Sequence, residues 1–232
     1  MKIVSQLLPR QVRHRLRHSF DSLYSKSLPD KETIGVLSQW TIVTRGLHSD
    51  SVIYSGGVGE DITFEQELIR RFGVKIHIFD PAPVAARTIA LANNDHLLFE
   101  PVGLSASTTG DFSIGGGSND RTWFKAGGSE AGGSEELRCT TLAREMERNH
   151  HHPIDLLKID IEGFEYEVLE SCLAERIPIK QLCVEFHDFF AEISKARTRE
   201  MIRALDSHGF DLIHRHRHDH TFLQRDGRPR LG

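Results

Sequence analysis

The hydrophobic positions of this chain follow two periods, which together predict a series of strands and helices. Short apolar runs bounded by glycine, proline or polar residues have the length of buried strands, whereas apolar residues three and four positions apart indicate helices. The predicted strands span residues 51–54, 74–80, 96–100, 154–160, 179–187, 210–217 and 220–225. The predicted helices span residues 62–72, 83–93, 140–149, 164–174 and 193–208.

The order of these elements predicts the fold class. Strands that alternate with helices of about ten to fifteen residues form a mostly parallel sheet with helices on both faces. The last two strands have no helix between them and turn around Asp219, so they predict an antiparallel edge. We therefore expect an α/β fold, arranged as a three-layer sandwich.

The first residues differ from the rest of the chain. Residues 2–27 have apolar side chains at near-helical spacing, and residues 1–30 hold six basic and two acidic side chains, a local balance of +4. We predict that residues 1–39 form a basic helical arm and that residues 40–232 form the main domain. Packing of the arm on this domain is the favoured interpretation, and contact with a membrane surface is the alternative.

Charge and cysteine content exclude other classes. The net charge of −4 gives no general reason to expect a nucleic acid partner. The chain has no apolar run of the ~20 residues that would cross a bilayer, and its first residues lack a signal-peptide core. Its three cysteines lack metal-ligand spacing, which favours reduced thiols in a cytoplasmic protein.

A glycine turn lies between the first predicted strand of this sheet and the helix that follows. It comprises Ser55, Gly56, Gly57, Val58, Gly59, Glu60 and Asp61. Glycines let a backbone pass close to a ligand, and a helix N-terminus offers free N–H groups. Asp80 ends the next strand about twenty residues beyond the turn, where an acid can accept both ribose hydroxyls. This unit predicts a site for an adenosine-containing cofactor.

The residues of the turn distinguish among adenosine cofactors. The third glycine of the dinucleotide pattern is missing after Gly57 and Gly59, and the chain has no G-K-[ST] of a P-loop. Glu60 and Asp61 would repel a pyrophosphate, but they suit a cofactor with a positive amino or sulfonium group. We therefore predict S-adenosylmethionine as the cofactor. Further predicted contacts to it are Pro81, Val102, Gly103, Asp160, Glu162 and Gly163.

Residues 156–169 carry a more specific pattern. Within them, residues 158–165 are K-I-D-I-E-G-F-E, which resembles the K-I-D-[IV]-E-G-x-E signature of the FkbM-like methyltransferases. Three other segments agree with this resemblance, residues 79–83, 139–142 and 184–187. The similarity extends from about residue 40 to residue 225.

The resemblance implies a Rossmann-like class I methyltransferase fold with a seven-stranded sheet of order 3-2-1-4-5-7-6. It also implies S-adenosylmethionine as cofactor and O-methylation of a hydroxyl on a sugar, glycan or natural product. Most relatives have an acid that opens the glycine turn and a glycine that closes it, whereas this chain has Ser55 and Asp61. We expect Glu60 or Asp61 to hold the amino acid end of the cofactor here.

Four residues are the predicted catalytic group. Period-two alternation puts Lys158 and Asp160 on one face of their strand and Glu185 and His187 on one face of the next. If these strands are parallel neighbours, all four side chains converge beside the methyl group, with Lys158 paired to Glu185 or Asp160. His187 is the first candidate for the base that activates the acceptor hydroxyl, because its unperturbed pKa is near 6.5, and Asp160 is the second.

Other interpretations of the same residues stay open. Asp160, Glu162, Glu185 and His187 also offer oxygen and imidazole ligands for a divalent metal, although a site without metal is favoured. The glycine-rich segment 110–134 is either a lid over the substrate or a surface loop. The histidines between 214 and 220 are interpreted as solvated strand surface. A methyltransferase-like scaffold without turnover and an NAD-dependent oxidoreductase are the alternative functions.

Overall fold

The computed structural model describes residues 25–107, 138–191 and 193–225. The predicted loop 110–134 and nearly all of the predicted helix 2–27 lie outside these residues. Strands in the described part are β1 (Lys31–Ile34), β2 (Trp40–Val43), β3 (Ile53–Gly56), β4 (Ile76–Phe79), β5 (Leu97–Glu100), β6 (Gly103–Leu104), β7 (Cys139–Thr140), β8 (Leu156–Ile159), β9 (Gln181–Glu185), β10 (Phe210–His216) and β11 (Asp219–Gln224). Its helices are α1 (Thr63–Phe72), α2 (Pro83–Ala92), α3 (Leu142–Asn149), α4 (Glu165–Ala174) and α5 (Lys195–Ser207).

Seven strands form the central sheet in the order β5-β4-β3-β8-β9-β11-β10. Neighbouring strands from β5 to β9 are parallel, whereas β11 is antiparallel to both β9 and β10. Numbered by their place in this sheet, the strands follow the order 3-2-1-4-5-7-6. The sheet order and the antiparallel edge are thus confirmed, and the carboxyl ends of β3, β4, β8 and β9 meet at one edge.

Helices cover both faces of this sheet. Leu156 and Leu157 are adjacent and fully buried, yet they belong to separate hydrophobic clusters because successive side chains of a strand point to opposite faces. One cluster includes apolar residues of α3, α4 and α5, and the other includes those of α1 and α2. This is the predicted three-layer arrangement.

The first two strands form a separate antiparallel hairpin. β1 pairs with β2, so the described part of the predicted helical arm, residues 25–39, contains a strand and no helix. The predicted boundary after residue 39 lies in the loop of this hairpin. The side-chain amide of Gln181 fixes the hairpin on the sheet, since it accepts from the Val43 N–H at 2.7 Å and donates to the Val43 carbonyl at 3.2 Å.

Candidate active site

The glycine turn packs directly against the end of β8. Gly57 has φ +73°, and a Cβ on it would lie 1.7 Å from the carbonyl oxygen of Asp160. Only glycine fits this position, because the left-handed backbone and the close approach both exclude a side chain. Gly59 has φ +52°, but a Cβ there would meet no atom within 4 Å. The turn is therefore closed against Asp160 at Gly57 and open at Gly59.

Asp80 lies next to this turn, at the end of β4. Its Oδ2 accepts from the backbone N–H groups of Val58 at 2.8 Å and Gly59 at 3.0 Å, and its Oδ1 accepts from the Ala82 N–H at 2.8 Å. The predicted closeness of Asp80 to the glycines is thus found, and both carboxylate oxygens also hold backbone groups. Asp80 fixes the shape of the cleft in addition to any contact with ribose.

Asp61 contacts protein groups at the start of α1. It accepts hydrogen bonds from the Thr63 N–H at 2.9 Å, the Thr63 hydroxyl at 3.1 Å and the Ser38 N–H at 2.6 Å. Burial alone would raise the pKa of Asp61, but these hydrogen bonds outweigh it and lower the pKa. Asp61 therefore stabilises the helix N-terminus and the β1–β2 loop, which leaves the exposed Glu60 as the acid of the turn that faces solvent.

Two predicted residues make contacts other than those expected. The Ser55 hydroxyl is buried and donates to Oε1 of Glu65 on α1 at 2.6 Å. Lys158 is also buried: its ammonium donates to the Gly57 carbonyl and lies 5.6 Å from the ring centre of Trp40. Among the residues that the structure describes, Lys158 forms no ion pair with Glu185 or Asp160. The prediction of that pair is wrong, because the Lys158 ammonium donates to the Gly57 carbonyl instead.

Glu65 is a buried acid that the sequence analysis missed. Burial raises its pKa, while the charge of Lys158 and the hydrogen bond from Ser55 act in the opposite direction. The carboxylate of Glu65 therefore lies beside Ser55, at the opening of the glycine turn. In the sequence, Glu65 looked like an ordinary helix residue, and its spacing of ten residues from Ser55 gave no sign of the contact between them.

The predicted contacts at the other side of the cleft are also close together. Gly103 lies in β6, and a Cβ on it would be 3.7 Å from Cγ of Pro81, directly after Asp80. The pairing of β6 with β7 holds this segment near the carboxyl end of β4. Val102 precedes it and is partly buried. This group can contact an adenosine lying across Asp80.

The acidic turn after β8 is organised by one side chain, Glu165. Glu162 and Gly163 both have positive φ, +55° and +101°, so the chain turns sharply at the end of the strand. Glu165 is fully buried at the start of α4, and its carboxylate accepts from the N–H groups of Ile161 and Gly163, at 3.1 Å each. The same carboxylate accepts from Nδ1 of His187 at 2.7 Å. Glu165 thus joins the acidic turn to the end of β9.

His187 occupies the centre of the site. Only 3% of its side chain is exposed, and its Nε2 lies 3.3 Å from Oε2 of Glu162 and 3.7 Å from Oδ1 of Asp160. Burial opposes a charge on the ring, but hydrogen bonds to Glu162 and Glu165 outweigh it and raise the pKa of His187 to about 11. The neighbouring carboxylates therefore favour the protonated form of the ring.

Two further carboxyl groups complete the cluster. Burial, followed by the charges of Asp160 and Asp219, raises the pKa of Glu185. Burial and the charge of Asp160 raise the pKa of Asp219 to about 6. Ligand atoms of Asp160, Glu185 and His187 all lie within 4.8 Å of one another. Of the four predicted catalytic residues, the structure thus brings these three together.

An aromatic surface adjoins the cluster. The ring of Phe189 is 53% exposed, and its centre lies 5.2 Å from that of His187 and 5.0 Å from that of Phe190. His218 contacts the same ring at 4.8 Å and pairs with Asp188 at 3.0 Å. An exposed aromatic ring next to carboxylates can pack against the apolar face of an acceptor. The carboxylates can then form hydrogen bonds with the polar groups of the acceptor.

The histidines of the last hairpin correct one expectation. His216 is exposed, as solvated strand surface would be, but His220 is buried. β11 lies inside the sheet between β9 and β10, so a histidine there packs against Phe186 and Phe222. The local pattern did not indicate that the last strand is internal.

The sheet order, the glycine turn after its first strand and the acidic ends of β8 and β9 define a class I methyltransferase. Comparison with known proteins agrees. Residues 50–212 match the model of the methyltransferase FkbM domain, and the chain belongs to this family. S-adenosylmethionine is the cofactor that family membership assigns, and Asp80, the open side of Gly59 and the carboxylates around them fit a cationic adenosine ligand.

Individual relatives are more distant. The chain is 26% identical over 137 residues to the human probable methyltransferase-like protein 24, a match that covers 58% of this chain and 32% of that protein. The Methanococcus jannaschii fibrillarin pre-rRNA processing protein is 12% identical, with a TM-score of 0.44 over 86% of this chain and 84% of that one. Aeropyrum pernix fibrillarin, solved with natively bound S-adenosylmethionine, is 13% identical, with a TM-score of 0.38 over 85% and 83%.

The helices of the described residues were also assessed for membrane insertion. None of them combines the length and the apolar character needed to cross a bilayer.

Proposed function

We propose that this methyltransferase transfers a methyl group from S-adenosylmethionine to a hydroxyl of a sugar, glycan or natural-product acceptor. The observation that carries the proposal is the convergence of Asp160, Glu185 and His187 next to the glycine turn. Methyl transfer is an in-line displacement, so the enzyme must chiefly align the acceptor oxygen with the methyl group. Such alignment contributes roughly 7–11 kcal/mol at best.

Asp160 is the residue that we assign to the acceptor hydroxyl. Its side chain is 25% exposed, whereas that of His187 is 3% exposed and both of its nitrogens face carboxylates. S-adenosylmethionine supplies a methyl group on a positively charged sulfur. The Asp160 carboxylate would accept the hydroxyl proton as the sulfur–methyl bond breaks and the oxygen–methyl bond forms, with the neutral thioether as leaving group, and such general-base catalysis typically contributes ~10²–10⁴-fold. His187 keeps Asp160 in place and moderates the negative charge around it.

Phe189 supports a carbohydrate or ring-containing acceptor. Its exposed ring lies beside His187, so an acceptor that packs on it would present its hydroxyl groups to the neighbouring carboxylates. The cluster of acids would repel an acidic acceptor, which favours a neutral polyol. The same cleft would serve a nitrogen nucleophile, and the product analysis below distinguishes the two.

Cofactor binding is tested by calorimetric titration of the chain with S-adenosylmethionine. We expect saturable binding to one site and at least tenfold weaker binding by Asp80→Asn, because hydrogen bonds to a charged group are worth roughly 1.5–3 kcal/mol. Asp95→Asn, at an exposed position on the loop before β5, is the matched control and should bind as the wild type does. Absence of binding by the wild-type chain would contradict the proposal.

The acceptor class is tested with S-adenosylmethionine carrying a labelled methyl group. The enzyme is incubated with fractionated glycans and small metabolites, and labelled products are analysed by mass spectrometry. We expect a product that carries one methyl group more than the acceptor. Because this product is an ether, it should be stable to mild alkali. A labelled amine or ester as the product would contradict hydroxyl methylation while leaving the methyltransferase activity in place.

A further inference from the structure

The carboxyl ends of β8 and β9 hold a set of side chains with the spacing of metal ligands. Asp160 and Glu185 each offer a carboxylate oxygen and His187 offers a ring nitrogen, and these three atoms lie within 4.8 Å of one another. Ligands of one cation at about 2.0–2.5 Å are necessarily separated by less than about 5 Å. The three atoms can therefore bind one ion with little movement, and the ion would displace the proton from Nε2 of His187 into solvent.

The orientation of His187 is a second and independent observation. Its ring is almost completely buried, and its Nδ1 donates to Glu165, so Nε2 is the nitrogen that faces Glu162 at 3.3 Å and Asp160 at 3.7 Å. Glu165 is itself fixed by the N–H groups of Ile161 and Gly163. A metal-binding histidine almost always donates its other ring N–H to a carboxylate, a backbone carbonyl or water, and His187 has such a partner in Glu165.

The charge of the surroundings also favours a cation. Asp160, Glu162 and Glu185 lie near a single histidine, His187, and the ion pairs that Asp160 and Glu162 form within the described residues are to His187 alone. Lys158, the nearest basic residue in sequence, donates to the Gly57 carbonyl instead. A divalent ion would offset this negative charge in the position where the acceptor must bind.

We propose that Asp160, Glu185 and His187 form a binding site for a divalent cation, which holds the acceptor hydroxyl beside the cofactor. Two carboxylate oxygens and one imidazole nitrogen suit a metal ion of hard or intermediate character. Mn²⁺ binds both oxygen and nitrogen ligands, so it is the probe for this site. The role in catalysis rests on the proposed function above, whereas the binding of the ion does not. Water and the acceptor oxygen would complete the coordination.

The test is a titration of the chelator-treated, desalted full chain with MnCl₂, followed by electron paramagnetic resonance of free Mn²⁺. We expect one site per chain and at least tenfold weaker binding in each of Asp160→Asn, Glu185→Gln and His187→Gln. Glu170→Gln removes an exposed carboxylate from α4 and should leave the affinity unchanged. Pulsed resonance should detect a nitrogen coupled to bound Mn²⁺ in the wild type and none in His187→Gln.

Melting temperatures show whether each variant is folded, and Asp160→Asn, at a partly exposed position, keeps the test valid if the other two are not. No saturable binding by the wild-type chain, or binding that no folded variant weakens, would overturn the inference. Titration of the same samples with S-adenosylmethionine separates the two proposals. Cofactor binding without Mn²⁺ binding contradicts only the metal site, and the reverse result contradicts only the proposed function.

Discussion

At the scale of single residues, Glu165 links the two halves of the site. It accepts from two backbone groups of the acidic turn and from His187, so one buried carboxylate sets the positions of both strand ends. The sequence placed Glu165 inside the family signature but gave it no role, since an acid in the first turn of a helix is common. Its role became visible only when the sheet order brought β9 next to β8.

Replacement of this carboxylate by an amide should loosen the site. We expect Glu165→Gln to lose about 2–3 kcal/mol of unfolding free energy. The amide nitrogen of glutamine cannot accept a hydrogen bond, so at least one of the N–H groups that Glu165 holds loses its acceptor. The turnover number should fall at least tenfold, with a smaller change in KM for the acceptor, since positioning and not binding is lost. Urea unfolding and steady-state kinetics measure both quantities.

Glu170→Gln on the same helix is the control for this change. Glu170 is exposed and lies 3.6 Å from Arg197, and such surface pairs contribute little. Its unfolding free energy and kinetics should match those of the wild type. A Glu165→Gln variant with wild-type turnover would contradict the positioning role that we assign to Glu165.

The identities of the site residues were more predictable than their contacts. Alternation along two strands correctly placed Asp160, Glu185 and His187 at one sheet edge, because period and strand order decide which side chains share a face. Lys158 shares that alternation, but its long side chain reaches the Gly57 carbonyl instead. Which partner a flexible cation selects depends on distances that local pattern does not contain.

At the scale of elements, the glycine turn contains two glycines that look alike in sequence but have different surroundings. Gly57 faces the Asp160 carbonyl, whereas Gly59 faces open space. We expect Gly57→Ala to prevent native folding, because a methyl group 1.7 Å from an oxygen requires the backbone of β8 to move. Gly59→Ala should fold with a loss of about 1–2 kcal/mol, the cost of a left-handed alanine.

The two variants also separate stability from cofactor binding. Gly59→Ala adds a methyl group on the open side of the turn, where we expect the cofactor, so its affinity for S-adenosylmethionine should fall at least tenfold at a nearly normal melting temperature. Thermal unfolding and calorimetric titration give the two values. A folded Gly57→Ala with normal affinity would refute the close packing of the turn on β8.

The strands of the central sheet were predictable, and the strands outside it were not. The seven strands of that sheet and all five described helices follow from apolar period and turn residues. The β1–β2 hairpin was missed because the contact that fixes it comes from Gln181, far along the chain. The two-residue strands β6 and β7 depend on each other for pairing, so neither has a local signal.

At the scale of the whole molecule, buried histidines make stability depend on pH. His220 donates from Nδ1 to the His218 carbonyl at 2.7 Å, while its buried Nε2 has no hydrogen-bond partner among the described residues. Its ring lies against Phe186 and Phe222. Burial lowers the pKa of His220 to about 3; the hydrogen bond to the His218 carbonyl raises it, as does the charge of Asp188, whereas Arg215 and His218 lower it.

The direction of the pH effect follows from this lowered pKa. In the unfolded chain the histidine binds a proton near pH 6.5, whereas the folded chain resists it down to about pH 3. Its contribution to stability is therefore complete above pH 6.5 and is lost as the pH falls toward the folded value, by at most about 1.4 kcal/mol per pH unit. His77, whose pKa burial lowers to about 4, acts in the same direction.

Replacement of His220 by leucine should remove this part of the acid sensitivity. Between pH 6.5 and 4, we expect the unfolding free energy of the wild type to fall by about 2–3 kcal/mol more than that of His220→Leu, because leucine binds no proton in either state. Urea unfolding at half-unit pH steps measures the difference, and groups common to both proteins cancel. His48→Gln, at an exposed histidine, should keep the wild-type slope. If the unfolding free energies of the wild type and His220→Leu fell with pH at the same slope, a charged His220 would be accommodated within the sheet. The packing of β11 between β9 and β10 would then need revision.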